Sequence, residues 1–280
     1  MSVDQILTGL VYLAAVFVLL LVGKVVYDLL HRGFVLKNEL VERDNVALAI
    51  SVGGYYLGLV IAFGGVLMGE STGLVNDLID LTIFGLLAIV LLNLSAWIND
   101  KVILRRFDNE KEIIQDRNAG TGAIEAGNHI AVGMITAGAL SGEGGLLSGG
   151  VFWLLGQLVL VIASLLYAAI LPFDVHREIE RDNVAVGVAF AGVLVAIGNV
   201  VRLGAQGDFV SWFQNLNDFA VFTLVGLVLL PVVRFLTDKV LLPGARLSDE
   251  LVNQEKPNLG AGMIEAASYL AASMLIGWAI

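Results

Sequence analysis

Residues 42–69 read ERDNVALAISVGGYYLGLVIAFGGVLMG: a charged turn, an asparagine, and then an apolar and small-residue run from Val46 to Gly69 with no charge in it. Asparagine is a favoured helix cap, because its side-chain oxygen accepts from a free amide at the helix start. About 20 apolar residues of helix cross a hydrocarbon core about 30 Å thick. The stretch therefore predicts a capped membrane span. Its opening, Glu42-Arg43-Asp44-Asn45-Val46-Ala47, returns unchanged as Glu180-Arg181-Asp182-Asn183-Val184-Ala185, 138 residues later. Asp100-Lys101-Val102 returns as Asp238-Lys239-Val240, and Asp80 as Asp218, at the same offset. Near the end of each half, NAGTGAIEA from Asn118 matches NLGAGMIEA from Asn258 at six of nine positions. The chain reads as a tandem duplication, residues 1–143 and 144–280, of one four-helix unit.

Seven further runs resemble the first: Gln5 to Leu30, Leu78 to Ile98, Ala119 to Leu140, Leu146 to Leu171, Val184 to Leu203, Phe213 to Val233 and Leu259 to Ile280. The fold class predicted is an all-α integral membrane protein with eight transmembrane helices. An even number of crossings per unit makes the two repeats parallel, related by an axis along the membrane normal. The composition agrees: 58% of the 280 residues are hydrophobic and 15% charged, which leaves no sizeable soluble domain. The net charge of −10 excludes a generally basic nucleic-acid binder. With no cysteine there is no disulfide and no thiolate metal site.

Fourteen of the 16 Lys and Arg residues are assigned to the loops after the first, third, fifth and seventh runs, Arg105, Arg106 and Arg234 among them. The positive-inside bias makes those loops cytoplasmic and puts both termini outside a bacterial cytoplasmic (inner) membrane. The outer side is acidic, with Asp4, Glu70, Asp77, Asp80, Glu143, Asp208 and Asp218 against Arg202. The first run lacks a basic n-region and is too long for a signal-peptide core, so it reads as a retained span.

A fainter period lies inside each unit. An aromatic or Leu (Phe34, Phe107, Phe173, Leu247) precedes a Glu (Glu39, Glu112, Glu178, Glu250), and an Asn opens the next helix (Asn45, Asn118, Asn183, Asn258). Capping by the four asparagines explains this pattern without a ligand. The 32 glycines concentrate in the even runs. Gly54 and Gly58 stand four apart, and Gly120, Gly122, Gly260 and Gly262 open the fourth and eighth runs. Small residues let backbones approach closely, so the even helices are expected at the centre and the Leu- and Val-rich odd ones facing lipid.

The R-D-N-x-A entry to one helix and the N-x-x-x-A-x-x-E-A-G-like entry to another resemble an uncharacterised bacterial membrane family, the domain of unknown function DUF350. Arg43-Asp44-Asn45 with Ala47, Arg181-Asp182-Asn183 with Ala185, and Glu125-Ala126-Gly127 fit the pattern; Ala267 replaces the last Gly in the second copy. The resemblance covers nearly the whole chain as two copies. It implies a place beside membrane-stress and membrane-remodelling proteins and no catalytic role.

Glu125 and Glu265 are the sharpest features. Each lies seven residues past its helix-opening Asn, roughly 10 Å into the membrane at 1.5 Å per residue. Intramembrane carboxylates cost on the order of 2.5 to 3.5 kcal/mol on insertion scales and face the protein interior or water. Thr121, Asn128 and His129 share the face of Glu125, and Ser268 and Tyr269 stand at the same spacings from Glu265. Such stripes suit a proton or cation pathway; the plain alternative is hydrogen bonding that fixes the bundle. His129 has no second His or Cys near it in sequence, so no metal site is expected. Arg202 reads as the partner of Asp208. No nucleotide, zinc-peptidase or serine-hydrolase motif occurs, so neither an enzyme nor a cofactor is expected.

Two functions compete. One is a small cation or proton channel or transporter with Glu125 and Glu265 facing each other between the fourth and eighth spans. Adjacent buried carboxylates cannot both ionise cheaply, so that pair would share a proton or hold a cation. The other is a non-transporting membrane scaffold or stress-response component whose cytoplasmic loops recruit a partner. Carboxylates lying far apart, each bonded within its own repeat, would overturn that transport reading and put the scaffold in its place. The partners admitted are the lipid bilayer, a cation or proton, a second copy of the chain in a homo-oligomer, and a cytoplasmic membrane-stress partner.

Overall fold

The computed structural model describes residues 3–69, 71–103, 108–142, 144–241 and 244–280, apart from the side chain of Asn99. Glu70, Arg105, Arg106, Phe107 and Glu143 lie outside the described residues. Those described form helices joined by short turns, with no strand among them. Eight helices are long: α1 (Val3–Leu30), α2 (Val46–Leu67), α3 (Leu74–Val102), α5 (Ala119–Leu140), α6 (Gly145–Ile170), α8 (Val184–Ala205), α9 (Trp212–Leu236) and α11 (Leu259–Ala279). Three are single short pieces that precede capping asparagines: α4 (Asn109–Ile114), α7 (Val175–Glu180) and α10 (Leu247–Val252). π-Helical turns occupy Asn38–Glu42 and Thr237–Leu241.

Seven of the long helices are long and apolar enough to cross a membrane; α5 is not among them. Its composition follows from its surroundings. Of its 22 residues 18 are buried, because α2 and α8 pack against it on opposite sides. A helix wrapped by protein needs no apolar face for lipid and can carry Thr121, Asn128, His129 and Thr136 inside. α1, at the other extreme, has 11% of its apolar window buried and presents a nearly continuous hydrophobic surface.

α2, α5, α8 and α11 stand in one row, each packed most heavily on the next, with α1, α3, α6 and α9 around them. Glycine makes the row tight. A Cβ at Gly54 would run into the backbone of Ala126, and one at Gly58 into the carbonyl of His129. Gly122 lies against Ala47, Gly262 against Ala185, and Gly120 within 3.1 Å of the Asn183 carbonyl, measured from an added Cβ. Gly260 differs: its added Cβ would meet only the side chain of Asn258, at 3.2 Å. The expected helix contact at Gly260 is absent because α11 ends the row and no further helix covers that side.

The asparagines lock the helix entries together. Asn45, Asn118, Asn183 and Asn258 each accept, through the side-chain oxygen, from the amide three residues on, at 3.0 to 3.2 Å. The residue before three of them is left-handed: Asp44 (φ 50°), Arg117 (φ 55°) and Asp182 (φ 59°). That turn aims the amide nitrogen of the same Asn at the next hairpin. Asn45 donates to Ile113 O at the end of α4, Asn118 to Ile179 O in α7, and Asn183 to Leu251 O in α10, at 2.6 to 2.9 Å. Each also donates to the Glu of its own turn: Glu39, Glu112 and Glu178, as Asn258 does to Glu250. The repeated Glu and Asn thus staple α4 to the entry of α2, α7 to that of α5 and α10 to that of α8, each one hairpin back along the chain.

Candidate functional site

Glu125 lies on α5 where it faces α2. Ser51 of α2 donates its hydroxyl to Glu125 Oε2 at 2.5 Å. Ser51 also gathers two further groups: the Tyr27 hydroxyl interacts with its side chain, and the His129 ring with its backbone. Rings continue the contact. Tyr55 stands edge-on to His129 at 5.5 Å and 5.0 Å from Tyr27, which stacks on His31 at 4.1 Å. His31 Nδ1 bonds the Tyr27 carbonyl at 2.9 Å. A carbonyl only accepts, so Nδ1 is the donor of this bond, on a half-buried ring at the end of α1. Tyr55 is committed elsewhere, donating to Gly23 O at 3.0 Å and accepting from Asn93 at 3.1 Å.

Among the described residues no cation pairs with Glu125, and the charged groups that act on it, Asp100 and Glu110, are both acidic. Around it Thr121 and Asn128 are buried, and neither Thr121 Oγ1 nor His129 Nδ1 has a hydrogen-bond partner among the described residues. Towards the C-terminal end of α5, a cavity of about 920 Å³ is lined by Gly64, Asp80, Ser141, Arg202, Gln206 and Asp208 among others. The Arg202 guanidinium there donates to Asn199 and Gln206, and Asp208, its expected partner, lines the same cavity.

Glu265 is in a different chemical state. It is fully buried and forms an ion pair with Arg234, whose side chain is 12% exposed, and accepts from the Tyr167 hydroxyl at 3.2 Å. Arg234 also donates to Ser248 Oγ at 3.0 Å. The sequence assigns Arg234 to a cytoplasmic loop; it is instead inside α9, which runs on to Leu236. Tyr269 is buried edge-on to Tyr167 at 6.2 Å. Ser268 does not join this group, since its hydroxyl turns back to Ile264 O of its own helix.

The facing pair of carboxylates is overturned. Beside each of them α8 intervenes: Gly127 packs on Ala191, and the next residue, Gly192, packs on Ala266. Glu125 therefore turns to α2, and Glu265 to α6 and α9. The residues missed by sequence reasoning are Ser51, Tyr27, Tyr55 and His31 on one side, and Tyr167 and Arg234 on the other. Their signal was divergence between the copies: at the offset of 138, Ser51 faces Ala189, Tyr27 faces Leu165 and Arg234 faces Ala96.

A family model described as Domain of Unknown Function (DUF350) matches the chain twice, over residues 1–140 and 143–280. The chain belongs to the DUF350 family. This DUF350 chain is also 26% identical over 259 residues to a UPF0719 transmembrane protein of Aquifex aeolicus (strain VF5), covering 90% of this chain and 93% of the relative. No solved structure matches it. The chain is a transmembrane protein of an uncharacterised family, and the two copies of its DUF350 unit carry their glutamates in unlike surroundings.

Proposed function

We propose that the chain crosses a bacterial cytoplasmic membrane eight times, as two parallel four-helix repeats (1–143 and 144–280) with both termini outside, and passes protons through the first repeat alone. α5 completes the eight because its neighbours α2 and α8 are both apolar enough to span and hold it between them along their length. The observation that carries the proton reading is the contrast between the glutamates: Glu265 is paired with Arg234, whereas Glu125 has, among the described residues, a hydroxyl and no cation for a partner. A carboxyl kept inside a bundle without a counter-charge is costly, and such groups commonly mark ion or proton pathways.

In this reading Glu125 gains and loses the proton. Ser51 and Tyr27 relay it towards the half-buried ring of His31, which exchanges with the cytoplasm. The outer cavity, with Asp80 and Asp208, collects cations at the opposite end. No cofactor is involved and the protein is not an enzyme.

A second reading, the non-transporting scaffold with a membrane-stress partner, is favoured by the second repeat, where Glu265 is fixed by its ion pair and the glycine row leaves little room. Proton flux into liposomes, followed with a trapped pH dye, separates the two. Wild type and a Glu265→Gln, Arg234→Gln double variant should conduct, and Glu125→Gln should not. Equal flux through Glu125→Gln and wild type, or none through wild type, decides for the scaffold.

A further inference from the structure

The second repeat has a cavity of about 590 Å³ between the ends of α6 and α9 and the short helix α10. That volume is within the range of small-ligand sites, about 300–1,000 Å³. Its walls include Ile170, Phe173 and Phe235; Ile170 and Phe235 are exposed and continue the apolar surface of the spans. Its floor is polar. Arg234, Arg246, Ser248, Asp238 and Asp249 all reach it, so equal numbers of guanidinium and carboxylate groups meet an apolar rim at the ends of two apolar helices.

Arg246 is placed at a cost to local structure. It occupies the cap position of α10 and makes no side-chain cap, and a positive charge at a helix start opposes the dipole. The equivalent residue of the first repeat, Asp108, caps α4 by accepting from the Lys111 amide. In α10 the service falls to Asp238, which accepts from the Leu247 amide at 2.7 Å. The Arg246 guanidinium is thereby left with no partner among the described residues. Ser248 accepts from Arg234 and keeps its own hydroxyl proton to donate. Asp249 accepts from Asn253 through Oδ1 at 2.8 Å, with Oδ2 remaining. The first repeat has no such set: Ala96, Asp108 and Glu110 stand where Arg234, Arg246 and Ser248 do, and the Glu110 side chain lies against Gly33.

We propose that this cavity binds the headgroup of a phospholipid carrying its own ammonium, a phosphoethanolamine, with the phosphate on Arg246 and Ser248, the ammonium at Asp249, and the acyl chains leaving past Ile170 and Phe235. Paired opposite charges select a zwitterion over a purely anionic headgroup, and guanidinium suits phosphate oxygens. The site is independent of any proton pathway.

Delipidated full-length protein in detergent, titrated with lipid and read by native mass spectrometry, tests it. Phosphatidylethanolamine should bind at one site more tightly than phosphatidylglycerol, and inorganic phosphate should not displace it. Arg246→Ala should weaken phosphatidylethanolamine binding about tenfold, a loss of about 1.4 kcal/mol. Asp249→Asn should abolish the preference between the two lipids while leaving phosphatidylglycerol binding unchanged. The exposed Arg43→Ala serves as a control that binds as wild type does. Unchanged binding by Arg246→Ala, equal binding of the two lipids by wild type, or displacement by inorganic phosphate overturns the assignment; the last would make it a free-phosphate site.

Discussion

Asn118 does the most structural work of the four capping asparagines, and replacing it with Ala should cost far more than replacing Asn258. Its oxygen caps the Thr121 amide at 3.0 Å, while its nitrogen donates to the Ile179 carbonyl at 2.6 Å and to Glu112 Oε2 at 2.9 Å. Asn118 is 1% exposed and Glu112 5%, so water does not replace the lost bonds. Losing a cap costs about 1 kcal/mol. Leaving a buried carbonyl and a buried carboxylate short of a donor adds about 1–3 kcal/mol each. The sum for Asn118→Ala is roughly 3–7 kcal/mol. Asn258 caps Ala261 and donates to Glu250, but it is exposed and meets no carbonyl of a further hairpin, so Asn258→Ala should cost about 1 kcal/mol. Denaturant unfolding of the detergent-solubilised variants measures both. Equal losses for the two would refute the stapling argument, since the cap and the bond to the turn's own Glu are common to both sites and the bond to a further hairpin is not.

Gly58→Ala should destabilise by about 1–3 kcal/mol because its Cβ meets the His129 carbonyl, whereas Gly53→Ala, with open space around its Cβ, should be neutral or slightly stabilising in the same unfolding assay. Arg234→Ala should cost about 3–5 kcal/mol by leaving Glu265 buried without its counter-charge, and adding Glu265→Gln should recover part of it. For topology, a single cysteine at the exposed Lys111 should resist an impermeant reagent added outside intact cells; rapid labelling there would reverse the orientation. Asn109, equally suitable by sequence, is buried against Asp100 and would resist labelling on either side.

Much of the helical framework was legible because apolar length and the capping asparagines announce it, and the eight runs coincide with the eight long helices to within a few residues. The six-residue α4, α7 and α10 show no readable period at that length. Their connection to the asparagines spans 61 to 68 residues of sequence, which local patterning does not encode. Arg234 was assigned to a loop because it follows the last apolar residue of its run; burial depends on Glu265, 31 residues on. The facing glutamates failed for a related reason. Repeat symmetry relates their surroundings without making them neighbours, and the row order that puts α8 between α5 and α11 is a packing result. Ser51 and Tyr27, uncharged and inside apolar runs, stood out only by comparison with Ala189 and Leu165.

The two copies show what relief was available to Glu125. At the offset of 138, Ala96 on α3 takes the place of Arg234, and α3 packs on α5 as α9 packs on α11. An arginine at position 96 would give Glu125 the ion pair that already holds Glu265. If Glu125 serves only to fix the bundle, Ala96→Arg should be harmless or stabilising and should leave every activity intact. If Glu125 must exchange a proton, the same change should stabilise the bundle while stopping flux, because a carboxylate held by a guanidinium in a low-dielectric interior gives up its charge reluctantly. Ala96→Gln controls for bulk, adding a side chain of similar reach without charge, and should keep most of the flux. The decisive combination is a rise in unfolding midpoint together with loss of conduction in Ala96→Arg but not Ala96→Gln. Full conduction in a well-folded Ala96→Arg protein would show that the lack of a counter-charge beside Glu125 among the described residues has no part in function.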